Sequence, residues 1–198
     1  ATLAAPAAYA QFSDSYNFLK AVKDRKGEDA EKYINEPGSV IINTRDDVTG
    51  ETALHIVVSR RDSTWLAFLL AKGSNPNISD KKGVSPLMLA TQYGWADGAS
   101  ALLRNKAAVD GTNRSGETAL IRAVQLRNAE LVRLLLKSGA NPDKKDAVSG
   151  QSAREYAALD GRSSAILALI ENKGQAEEPK KETPAEKPGL LRSLFGKK

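Results

Sequence analysis

The 198 residues carry a net charge of +5, with 27% charged side chains and acidic residues spread along most of the chain. A nucleic-acid binder more often presents a dense basic face interleaved with aromatics, and none is visible, so nucleic acid is not expected as a partner. The chain has no cysteine and one histidine, which excludes disulfides, thiol nucleophiles and multi-histidine metal sites, and no run of 18 apolar residues offers a membrane span.

Residues 1–10 are alanine-rich, and Ala8-Tyr9-Ala10 precedes Gln11 with the small residues that a signal peptidase site requires. They read as the end of an export signal, or else as a flexible N-terminus, and stay outside the fold reading. Residues 13–45 read as a divergent helical pair. Ser13 or Asp14 caps a helix carrying Phe18, Leu19 and Val22, Gly27 breaks it, and a second helix follows over about 28–35. Pro37-Gly38 ends that helix.

From Asp46 onward one pattern repeats. A turn containing glycine leads into two short apolar-striped helices and a stop. The turn glycines Gly50, Gly83 and Gly116 are 33 residues apart, and Gly150 follows after 34. The units are 46–79, 80–112, 113–145 and 146–174, with helices in the first of them near 52–60 and 63–72. A fixed period near 33 is the mark of a helical repeat array, and the end units need polar outer faces. The third unit departs from the pattern. Lys106 stands where Gly73 and Gly139 stop the neighbouring units, and Gly98 and Ala99 weaken its second helix, so the softest joint is expected there.

Thr52-Ala-Leu-His55, Ser85-Pro-Leu-Met88 and Thr118-Ala-Leu-Ile121, together with Gly73-Ser-Asn-Pro-Asn77 and Gly139-Ala-Asn-Pro-Asp143, resemble the ankyrin repeat family. The resemblance covers roughly residues 13–174 and implies an all-α solenoid of about five repeats, two of them degenerate caps, within a domain at 11–174. It also implies a structural role for Thr52 and His55, tying their turn to the next one. With the N-terminal stretch, it suggests a small exported bacterial protein, periplasmic or secreted, and cytoplasmic if that stretch is not a signal.

Catalytic constellations are not apparent. There is no phosphate-binding glycine loop, and the carboxylate pairs Asp46-Asp47 and Glu177-Glu178 lie in a turn and in a tail, so neither an enzyme, a metal site nor a cofactor is expected. What remains is surface. In ankyrin proteins partners bind the concave face built from turn tips and the ends of first helices, and the resemblance carries this onto Arg60, Lys81, Lys82, Gln92, Tyr93, Trp95, Arg114, Gln125 and Leu126. Tyr93, with Trp95 beside it, is the first candidate for a hot spot. For both, packing against the array is the competing role. The expected activity is binding of a protein partner, by a monomer.

Residues 175–189 are charged and proline-rich and read as disordered. Residues 190–198 end the chain with Leu190, Leu191, Leu194 and Phe195 at helical spacing among basic residues. The alternative function is therefore a tether that docks this tail weakly on a membrane surface or in a partner groove.

Overall fold

The computed structural model describes residues 7–174, with side chains from residue 14 onward. Its helices come in pairs. α1 is Ala7–Lys23 and α2 Gly27–Ile34, followed by a 3-10 turn at Ile41–Asn43. The next pairs are α3, Ala53–Ser59, with α4, Ser63–Ala71; α5, Pro86–Gln92, with α6, Ala96–Arg104; and α7, Ala119–Gln125, with α8, Ala129–Lys137. The last is α9, Ala153–Leu159, with α10, Ser164–Glu171.

From the second pair on, each first helix starts where a Ser or Thr side chain satisfies free N–H groups of the helix end, and Asp62 and Asn128 do the same for α4 and α8. Thr118 Oγ1 accepts from Ile121 N at 3.2 Å, and Asn128 Oδ1 accepts from Leu131 N at 3.0 Å. Ser152 and Glu155 cap reciprocally, Glu155 Oε2 accepting from Ser152 N at 2.7 Å. Pro86 takes the first helical position of α5, where its missing N–H costs nothing.

Apart from α1, these helices are too short to persist alone, so packing holds them. The first helices α1, α3, α5, α7 and α9 pack side by side in one layer, and α4, α6, α8 and α10 in a second. Leu54, Leu87 and Leu120 fill one line of the core at 33-residue intervals, and Leu69, Leu102 and Leu135 fill another, all essentially inaccessible. Each such leucine contributes about 1.5–3 kcal/mol.

The turns form a second, backbone continuity. Lys81 N donates to Thr49 O at 2.9 Å, Arg114 N to Lys82 O at 3.1 Å, and Ala147 N to Ser115 O at 2.8 Å. The recurrent glycine makes this possible. Gly50, Gly83 and Gly116 have φ of 76°, 80° and 72°, and a Cβ on each would sit 2.7–2.8 Å from the backbone nitrogen of the next turn. A side chain there would push neighbouring repeats apart.

Three expectations need correction. Ser13 and Asp14 do not start a helix, because α1 already begins at Ala7 and runs through Ala10 and Gln11. Gly27 does not break the first pair but opens α2, and the chain reverses one step earlier at Arg25, in the left-handed region with φ 58°. Nor is Gly98 a weakness of α6. A Cβ there would lie 2.2 Å from Trp95 Cε3, so the missing side chain is the space in which the indole rests. Ala99 is fully buried beside it. Lys106 has φ 66°, so the lysine occupies the geometry that Gly73 and Gly139 hold in their own repeats.

Candidate partner-binding face

In the third, fourth and fifth repeats the residue that ends the first helix projects off the array. Tyr93 and Leu126 are the C-terminal caps of α5 and α7, and Leu159 is the last residue of α9. They are 33 residues apart on helices packed side by side, so they form a row, with exposures of 38%, 47% and 70%. The adjacent Gln92 and Gln125 are exposed too. The row is exposed because the core-facing stripe of these short helices ends two residues earlier, at Thr91 and at Val124.

Arg60 occupies the same position in the second repeat, and here the structure departs from the expectation of an exposed binding residue. Its side chain is only 19% exposed. Nη1 donates to Val22 O at 2.7 Å and to Lys23 O at 3.2 Å, at the C-terminal end of α1. The guanidinium lies 5.7 Å from the Trp65 ring centroid and 3.3 Å from Asp62. Burial disfavours its charge, and Asp62 opposes that effect. Arg60 thus fastens the first repeat to the second.

Trp95 is half-buried at the start of α6 and packs on the core, which fits the packing role weighed for it. The structure separates it from Tyr93. One ring covers the array, while the other stands out of it.

At the far end of the same helices lie the turn tips. Lys81, Lys82 and Arg114 are exposed there. Lys81 Nζ donates to Asp47 O of the preceding turn. Among the described residues no carboxylate forms an ion pair with any of the three. The face therefore has an apolar edge at the helix ends and a cationic edge at the tips. The sequence reading did not single out Tyr16, which is 68% exposed. With Val48, 82% exposed, it lines a groove of about 390 Å³ between α1 and the second repeat's turn. Spacing gave no signal for it, because α1 stands outside the 33-residue register.

His55 is buried and structural. Its Nδ1 lies 3.1 Å from Thr52 N and its Nε2 lies 2.9 Å from Val84 O in the next repeat. With Nδ1 accepting and Nε2–H donating, the ring is the neutral tautomer. Among the described residues no group of three or more His, Cys, Asp or Glu side chains could hold a metal ion, and no helix is long and apolar enough to cross a membrane. Leu190, Leu191, Leu194 and Phe195 lie outside the described residues.

Comparison with known proteins agrees with this geometry. The family description "Ankyrin repeats" matches residues 18–110, 54–146 and 102–183. The chain belongs to the ankyrin repeat family. A putative ankyrin repeat-containing protein of Treponema pallidum is 32% identical over 144 residues, which is 72% of this chain and 47% of that protein. The human transient receptor potential cation channel subfamily A member 1 is 30% identical over 134 residues, 67% of this chain and 12% of the channel. The zebrafish neurogenic locus notch homolog protein 1 is 32% identical over 146 residues, 72% of this chain and 6% of that protein. The chain thus spans less than half the length of each of these ankyrin proteins.

Proposed function

We propose that this ankyrin array is a non-catalytic recognition module that binds a partner protein across the face between the turn tips and the ends of the first helices. The observation that carries the reading is the row Tyr93, Leu126 and Leu159. Three large apolar side chains, one per repeat, stay in water on an array whose other described leucines are all buried or half-buried. Exposed apolar residues arranged contiguously and rimmed by polar ones mark interaction sites. A tyrosine at one end and arginine at the tips are the residue types that dominate binding energy.

The test is affinity capture from the native extract, followed by mass spectrometry. The full chain is one bait and a Tyr93→Ser, Leu126→Ser, Leu159→Ser chain is the other. The account expects a partner that the first bait retains and the second loses, with unchanged melting. A third bait lacking residues 190–198 should retain the partner. Loss with this bait alone would move recognition to the tail, and equal capture by all three would remove the face from the account.

A further inference from the structure

We infer that the segment received by this face is an acidic amphipathic α-helix, lying across the first helices with its apolar residues seven positions apart. The inference rests on the face proposed above and goes further, to the chemistry of the partner.

The first argument is spacing. The row places one apolar side chain per repeat, and helices packed side by side have axes about 8–10 Å apart. Residues seven apart in an α-helix are on nearly the same side and about 10.5 Å apart along the axis. A strand fits poorly, because its same-face residues fall at about 6.6 Å and then 13 Å. A polyproline helix does repeat at about 9.3 Å. However, it is thin and would follow one edge only.

The second argument is width. A seven-residue first helix is about 10.5 Å long, and a partner helix is about 10–12 Å across. One such helix therefore spans a first helix from the row, and because Lys82 and Arg114 lie four and five residues before α5 and α7, long side chains on its far flank must reach out to the tips.

The third argument is charge. The tips over the third and fourth repeats offer Lys82 and Arg114, with Lys81 held on the Asp47 carbonyl, and among the described residues no carboxylate is paired to any of them. Beside the row, Asp160 is already engaged by Arg127 at 2.6 Å. A ligand with carboxylates on the tip side and leucines on the row side is complementary on both. The chain's own residues 190–198 are not, since they carry Arg192, Lys197 and Lys198 and no acidic residue.

The test uses the full chain and three stapled helical peptides of three heptads, followed by fluorescence anisotropy. The first peptide has leucine at every seventh position and glutamates along the flank. The second replaces each glutamate with lysine, and the third places the leucines five apart. The first should bind, and should weaken about tenfold or more both in high salt and against a Lys82→Glu, Arg114→Glu chain. That variant leaves the backbone bond from Arg114 N to Lys82 O in place, and its melting curve confirms folding. The other two peptides should bind at least about tenfold more weakly. Equal binding of either control peptide, or no binding of the first, overturns the inference. If it falls while the three-serine variant still loses its captured partner, the recognition face stands without it. If that capture is unchanged, the face itself falls.

Discussion

Arg127 Nε donates to Asp160 Oδ2 at 2.6 Å, across the boundary between the fourth and fifth repeats. Arg127 holds this contact from the left-handed region, at φ 53°, in the turn between α7 and α8. The same position recurs. Arg25 at φ 58° reaches Asp62 at 3.3 Å, and Arg61 at φ 53° donates to Tyr93 O. Gly94 takes the position in the third repeat and has no side chain to reach with. Glycine would be the least strained residue at all four places, so the arginines accept backbone strain and reach the next repeat.

This predicts opposite responses to one kind of substitution. Lys106→Gly removes strain and loses only an exposed side chain, because the carbonyl that accepts from Asn77 is backbone. It should stabilise the array by about 0.5–1 kcal/mol, raising Tm by about 1–4 °C. Arg127→Gly also removes strain but breaks the tie to Asp160, so its gain should be smaller or reversed. Thermal melts of the two variants check the contrast. Equal gains would mean the Arg127 contact contributes nothing.

Arg127, with Ser163 Oγ at 2.8 Å, holds the Asp160 carboxyl well below the usual carboxylate range. A depressed folded value means stability that is present above the unfolded value, near 3.9, and is lost as pH falls through the folded one. Asp160→Asn should therefore lower the urea midpoint at pH 7, and the gap to wild type should close on acidification. A gap that is constant with pH would show that the charge is irrelevant.

His55 shifts in the same direction for another reason. Burial lowers its affinity for a proton, although Val84 O and the carboxylates of Asp80 and Glu51 oppose this. The unfolded chain then takes up the proton first, near pH 6.5, so stability should fall as pH drops below that value and level off below the folded one. His55→Gln should be less stable at pH 8 and should lack this step. Urea titrations at pH 8, 6 and 5 measure it.

Gly98→Ala separates helix propensity from packing. Alanine favours a helix interior by about 1 kcal/mol. Its Cβ, however, would enter the Trp95 ring. The variant should lose about 1–3 kcal/mol, as overpacked sites do. Adding Trp95→Ala should recover part of that loss in a double-mutant cycle. Additive losses would mean the ring does not rest on Gly98.

Much of the fold is legible in the sequence, because the period is carried by residues with narrow requirements. Gly83 must allow close backbone approach, and Leu87 and Leu102 must fill a dry core. The candidate face is only half legible. Tyr93 and Leu126 read as exposed from their register and are exposed. Arg60 shares that register, yet is covered by the end of α1, a contact between segments that no repeat pattern encodes. Gly98 misleads for a similar reason. Spacing shows a glycine inside a helix and does not show the indole lying on it.

The most direct test of the recognition face is amide hydrogen exchange on the full chain, free and with the captured partner. The account predicts added protection at the turn tips around residues 81–82 and 114–115 and at the helix ends around 92–93, 125–126 and 158–159. Protection confined to α4, α6, α8 and α10, or to residues 175–198, would contradict it.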